Sequence, residues 1–394
     1  MPTQYSIFDP AFVRDPYPIF ARMRSDCPVS PVEPGGFWAV HRYDDVVQVL
    51  KDPQTFSSEA FKPTWGPAWL GYNPVAHSML AMDPPRHTQL RALVSRAFGP
   101  RSVTRLEAQV QQRAEALADQ LLGRGEVDFV DEFALTLPGY VMAEMMGLDP
   151  EMRHHFKRWT SVMTGGSPQP PAPEVVQSMH NSLAEMTHYL QEVIEARRRH
   201  PQDDLVTDLI RAELDGQLLS SSELLEFLAL LLTGGFETTI QFLGQAVLRL
   251  GTHPEELERL RAEPGLIPGF VEEMLRFDSP VTNSPRQTTK EVEIAGVRIP
   301  ANAVVMAAVG SANRDEARYP DADRFDMKRE KTGLAFGHGH HYCIGAGLAR
   351  LEMRHGIAAL AKRCRAFELS SKPVEWKVAL TLRGPTKLYL RAVA

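Results

Sequence analysis

The chain has 394 residues, with 43 Lys and Arg against 49 Asp and Glu for a formal net charge of −6, and it is 43% hydrophobic and 23% charged. That balance is typical of an ordinary folded protein and excludes disordered, collagen-like and disulfide-scaffold chains. No basic excess points to nucleic acid. Three widely spaced cysteines, Cys27, Cys343 and Cys364, give no disulfide framework and fit a reducing compartment.

The first twenty residues lack a basic stretch followed by an apolar block, so no signal peptide is expected. Phe37–Val40 reads as a strand. Ala60–Met82, rich in Trp, Pro and Gly, resists assignment, and its aromatic residues predict a lid or binding loop rather than an idle excursion. The prolines and glycines between Pro63 and Met82 break the longest charge-free stretch, so it does not read as a membrane span. Pro100 opens a helical pattern that Gly123 stops. Gly165–Pro173 is a second lid-like loop. Helical periodicity then covers Pro173–Arg199, Ser221–Leu250, Pro254–Ala262 and Ile267–Phe277. Glu291–Ile299 reads as a hairpin turning at Ala295-Gly296, Val304–Val309 as a strand, Gly347–Cys364 as a helix, and the last fifteen residues as strands. The expectation is a mainly α chain with small β-sheets near both ends (α+β), and residues 1–394 forming one domain.

Residues 336–347, FGHGHHYCIGAG, carry the chemistry. Cys343 lies just before a predicted helix, where the positive end of the macrodipole and unpaired N–H groups favour thiolate over thiol. Gly337 and Gly339 allow a tight turn, and Gly345 keeps side-chain bulk away from the sulfur. Three readings follow: a thiolate presented to a flat, bulky cofactor; a zinc cluster of His338, His340, His341 and Cys343; or an inert buried cysteine. Four zinc ligands within six residues do not match the paired spacings of structural zinc sites.

Phe336, Gly339, Cys343 and Gly345, with His341 two before the cysteine, resemble the haem-binding signature of the cytochromes P450. Three further stretches occur in that family's order. Gly234-Gly235-Phe236-Glu237-Thr238-Thr239 resembles its oxygen-binding motif, with Leu231, Gly234 and Thr238 on one helix face. Glu273-x-x-Arg276 resembles its buried brace, whose third member by resemblance is Arg324. His87-x-x-x-Arg91, one face of a helix, resembles the pair that holds a haem propionate; Arg286 resembles the arginine on the other, with His341 assisting.

The resemblance implies the P450 fold, with haem b (iron protoporphyrin IX) between the long central helix and the helix after the cysteine loop. It implies Cys343 as the iron's thiolate ligand, and Glu237 and Thr238 as the route for protons. It also implies a monooxygenase that hydroxylates or epoxidises a hydrophobic substrate of secondary-metabolite, terpenoid, steroid or fatty-acid type, using O2. Electrons would come from NAD(P)H through an external ferredoxin and ferredoxin reductase. A cytoplasmic monomer without nucleic acid or a membrane anchor is expected. Substrate contacts are expected in Trp65–Met79, Gly165–Pro173, Leu230–Gly234, Val281–Asn283 and Val378–Leu382. A basic ferredoxin-steering patch is expected from Arg96, Arg101, Arg105, Lys328, Arg329, Lys331 and Arg354. The competing class is a non-catalytic haem carrier or sensor on the same fold.

Overall fold

A computed structural model describes residues 5–33, 35–164, 170–214, 216–330 and 332–394. At its centre runs the helix Ser221–Thr252, about 48 Å long at 1.5 Å per residue. Ser220 starts it with a capping box: its hydroxyl accepts from the Glu223 amide while the Glu223 carboxylate accepts from the Ser220 amide. Pro254 cannot continue it and opens the next helix, Pro254–Ala262. By length and composition this helix alone, among the described residues, could cross a membrane. It is instead a core element, with Phe236, Phe242, Leu243 and Val247 fully buried.

The helices expected at Pro173–Arg199, Pro254–Ala262 and Ile267–Phe277 have those bounds, and the others differ by a few residues: Pro100–Leu121, Ser221–Thr252 and Ala346–Arg363. Ala346–Arg363 packs along Pro100–Leu121, where Arg363 is ion-paired with both Glu115 and Asp119. Sequence reading assigned nothing to Tyr17–Asp26, Tyr43–Lys51 or Thr136–Met146. Ala60–Met82 is not one open loop. It folds into short helices at Lys62–Trp65 and Pro74–His77, and the Asn73 side chain caps the second.

The larger sheet has six strands in the order Tyr5–Ser6, Val29–Glu33, Phe37–Val40, Val304–Ala307, Ser284–Thr288, Phe56–Ser57. Its register sets Arg286 opposite Val305, on a strand held between two neighbours. The predicted hairpin forms from Val292–Ile294 and Val297–Ile299. Ala295 and Gly296 both have positive φ, 49° and 77°, as a two-residue primed turn requires. The strand expected to Val309 ends at Ala307, and a short helix, Val309–Ala312, follows. The C-terminal residues form Pro385–Lys387 and Tyr389–Val393, the latter pairing with Ala366–Leu369 and Val127–Asp128.

Candidate active site

The loop before Ala346–Arg363 is shaped by its glycines. Gly337 and Gly339 have φ of 75° and 70°, and a Cβ on Gly339 would lie 2.8 Å from the Leu50 carbonyl. The Cys343 amide donates to the Phe336 carbonyl at 2.9 Å, closing the loop on itself. The Phe336 ring is covered by the Arg350 guanidinium, 4.3 Å from its centroid, and Arg350 is in turn clamped by Glu272. Cys343 is exposed, although the helix that follows is rooted in the core. Burial around its sulfur pushes the thiol up; the Gly345 N–H, Arg91 and Arg350 pull the other way. The helix-start N–H favours thiolate, as the sequence suggests, but burial outweighs it. A coordinated metal ion would reverse that, since it deprotonates a ligating thiol outright.

On the central helix the two glycines do different jobs. Gly235 is a packing glycine, because a Cβ there would meet Met142 Sδ at 2.7 Å. Gly234 is exposed in the middle of a mostly buried helix, and a Cβ there would meet nothing within 4 Å. The Thr238 hydroxyl donates to the Gly234 carbonyl at 2.7 Å, which leaves its lone pairs free to accept. Glu237 does not open to solvent, as a carrier of protons from outside would: it is 2% exposed. Its Oε1 accepts from Thr160 Oγ1 at 2.8 Å and Ser161 Oγ at 3.1 Å, and its Oε2 from Lys377 Nζ at 2.9 Å. Sequence reading missed these three partners, which lie 77, 76 and 140 residues away along the chain.

The third grouping gathers imidazoles and guanidinia. His87 and Arg91 share a face of the helix Arg86–Ala97. His87 lies tilted against His341 at 4.2 Å between centroids and edge-on to His340 at 5.3 Å, while Arg91 Nη2 donates to the Tyr342 carbonyl at 2.6 Å. His341 Nε2 lies 3.1 Å from both the Met82 carbonyl and Ser58 Oγ. Arg286 is buried, and its Nη1 bonds only within its own strand, to the Pro285 carbonyl and Ser284 Oγ. Both ring nitrogens of His87 and Nε2 of His340 are buried without partners. Burial and mutual repulsion push His87 down to about 4 and His341 to about 2, while burial brings Arg286 down to about 10. Orphaned buried nitrogens among crowded cations are the environment that an anion's carboxylates would satisfy. Asp83, His340 and His341 are the one group of three close potential metal ligands among the described residues. Cys343 is not in it, so the zinc reading fails.

Glu273 and Arg276 are buried and joined by two bonds of 2.7 Å. Arg276 also donates to the Asn313 and Ala322 carbonyls at 2.8 and 2.9 Å. The expected third side chain is corrected. Arg324 points to water, with its side chain 63% exposed, held by Asp321 and Asp326, and it meets Arg276 only through its own carbonyl. Arg329 takes the place instead, its side chain 11% exposed and its Nε 3.2 Å from Glu273 Oε1. That commits Arg329 inward. In the expected basic patch, Arg105 pairs with Asp203, Arg96 donates to the Glu213 carbonyl, and Arg354 lies 3.9 Å from Glu272. Lys331 and the side chain of Arg101 lie outside the described residues.

A cavity of about 250 Å³ is walled by Trp65, Trp69, Met163, Val175, Leu380 and Thr381 among others. Its walls come from two expected segments, 65–79 and 378–382, and Pro171 from a third whose residues 165–169 lie outside the described set. Leu230–Gly234 and Val281–Asn283 do not line it, whereas Val162–Thr164, at the end of the helix Arg153–Thr164, was not foreseen. His180 Nε2 donates to the Trp69 carbonyl at 2.8 Å, tying the long helix Pro173–Arg199 to the opposite wall.

A family model described as "Cytochrome P450" matches residues 33–388. "Cytochrome P450 107B1" of Saccharopolyspora erythraea is 40% identical over 98% of this chain and 96% of its own length. The "Vitamin D(3) 25-hydroxylase" of Pseudonocardia autotrophica is 37% identical over 91% of this chain and 88% of its own. Among solved structures, cytochrome P450 CYP109Q5 from Chondromyces apiculatus superposes with a TM-score of 0.90 at 40% identity, covering 100% of this chain and 99% of that one.

Proposed function

The chain belongs to the cytochrome P450 family, and on that premise we propose that this haem monooxygenase inserts one oxygen atom of O2 into an uncharged, hydrophobic small molecule. Bound haem supplies the activation of O2 at a thiolate-ligated iron. Cys343 would be the thiolate ligand; His87, Arg91, Arg286 and His341 would receive the carboxylates; Gly234 and Gly345 leave room beside the cofactor, and the Phe336 ring would pack beside it. The observation that carries this reading is the pairing of an exposed Cys343 and an exposed Gly234 with the partnerless nitrogens of His87.

Protons reach the oxygen site through this chain's own groups. Thr238 Oγ1, its hydrogen given to the Gly234 carbonyl, accepts a hydrogen bond on its open side and so holds the proton donor in place there. Glu237, a carboxylate paired with Lys377, takes up protons and passes them toward that site. The cavity's aromatic and aliphatic walls exclude water and place the substrate, and no Lys, Arg, Asp or Glu lies among the described lining residues. That favours apolar compounds of the size and character of vitamin D3, the substrate named for one relative. Electrons come from NAD(P)H through a ferredoxin and its reductase, to a cytoplasmic, monomeric protein that binds no nucleic acid.

The test is spectroscopic first. The reduced carbonyl complex of the haem-loaded protein should show the red-shifted Soret band of thiolate ligation, and Cys343→Ser should lose it. A native protein without that band would sink the assignment. Titrating vitamin D3, steroids and macrolactones against the native Soret band then ranks substrates by spin shift. With the best of them, Thr238→Ala should divert NAD(P)H consumption from product to peroxide.

A further inference from the structure

Glu237 and Thr238 are neighbours on a helix, so their side chains leave it about 100° apart. The acid also has its acceptor sites filled. Two hydroxyls from the helix Arg153–Thr164 bind Oε1, and an ammonium from the turn between Glu375–Trp376 and Pro385–Lys387 binds Oε2. The side chains of this ion pair are 10% and 3% exposed. The turn that carries the ammonium is locked to the central helix. The Lys377 amide donates to the Gly384 carbonyl at 2.9 Å, and a Cβ on Gly244 would strike Pro385 at 2.5 Å. The Lys and Arg side chains of the neighbouring helix face elsewhere, Lys157 to Asp131, Arg153 to Glu151 and Arg158 to Glu185.

We propose that Lys377 is a positioning residue of oxygen activation: it holds the Glu237 carboxylate in a buried ion pair whose partners ride on two walls of the substrate cavity. Lys377 is three residues before Leu380, and Thr160 is two before Val162; both Leu380 and Val162 line the cavity. A substrate that shifts either wall shifts the groups that hold the acid. Seating of substrate and supply of protons are thereby joined through one lysine. This rests on the reading of Glu237 as the acid of the relay, and sequence reading placed nothing at position 377.

The experiment removes the ammonium while keeping side-chain length. In Lys377→Met holoenzyme, Glu237 stays buried with only two hydroxyl donors and no counter-charge. Infrared difference spectra of the holoenzyme at about pH 7 should then show a protonated-carboxyl band beyond that of buried Glu352, which the native protein and Lys377→Arg share, and adding Glu237→Gln should remove it. Product formation with the tightest-binding compound of the panel should fall several-fold as pH drops from about 8 to 6, recover on returning to higher pH, and leave KM within about twofold. A Lys377→Met protein with no new band and a native pH profile overturns the proposal. If Lys377→Met does not accumulate, the native holoenzyme decides. A protonated-carboxyl band at about pH 7 that Glu237→Gln abolishes refutes the ion pair, and its absence upholds it. The infrared result does not depend on turnover, whereas loss of the thiolate Soret band in native protein would sink the functional reading itself.

Discussion

Two buried polar regions flank the cysteine loop, and they are finished to opposite degrees. Around Glu273 and Arg276 the protein supplies the partners: two 2.7 Å bonds within the pair, the Asn313 and Ala322 carbonyls for Arg276, and the Asp326 amide and Arg329 for Glu273. Around His87 it does not. That ring is 1% exposed with both nitrogens unpartnered, and burial with the His340, Arg91 and Arg286 charges opposes its protonated form more than the Asp83 carboxylate favours it. A closed network stabilises the fold on its own account, while an open one costs free energy until something else fills it. The difference separates a brace from a binding site without reference to either motif.

The sharpest way to break that contrast is to open the closed side. Arg276→Ala strands the Glu273 carboxylate and removes donors from two buried carbonyls, and should cost about 3–5 kcal/mol. Denaturant unfolding of the holoenzyme should show this as a lower midpoint with little change in slope. A loss below about 1 kcal/mol would mean the brace is no more than a surface pair.

On the open side, the same kind of truncation should spare the fold and release the cofactor. Arg286→Leu and His87→Leu each remove a donor that the proposed function gives to a haem carboxylate, a bond worth about 1.5–3 kcal/mol for a charged partner. Transfer of haem to a scavenging globin should accelerate by about ten-fold or more, with the far-ultraviolet circular dichroism of the holoenzyme unchanged. The pH dependence has a definite sign. His87 sits at about 4, below its ordinary 6.5, because of burial and the His340 and Arg91 charges. A carboxylate beside the ring raises that value, so the protonated ring is favoured only when the anion is bound. The advantage of native protein over His87→Leu in retaining haem should therefore widen as pH falls below about 6.5. A gap that narrows would place the anion elsewhere.

How much of this was legible in the chain follows from what kind of signal each part carries. Long periodic helices with Pro or Gly at their ends, such as Pro173–Arg199 and Ile267–Phe277, were readable to the residue, because capping chemistry is local. The cysteine loop and the glycine pair of the central helix were readable because residue types at fixed spacing carry them. Lys377, Thr160 and Ser161 were not, since nothing near position 377 or 160 in the sequence announces a carboxylate over seventy residues away. The cavity's wall at Val162–Thr164 was hidden for the same reason. Tyr43–Lys51 was missed although Pro254–Ala262, of the same length, was read: a proline marks the start of the second, whereas neither a proline nor a capping side chain marks the first.

The smallest expected effect tests the one substitution of partners that resemblance got wrong. Arg324 and Arg329 sit five residues apart, and both are arginines near the same brace. Arg329 donates to a buried carboxylate and to the Pro320 carbonyl at 3.0 Å, so Arg329→Ala should cost about 1.5–3 kcal/mol. Arg324 has its guanidinium in water between Asp321 and Asp326, so Arg324→Ala should cost less than about 1 kcal/mol, a loss that salt should diminish further. Parallel unfolding of the two variants at low and high ionic strength reads the difference directly. Equal losses would put both arginines in the brace and remove the distinction between its buried and its solvated side.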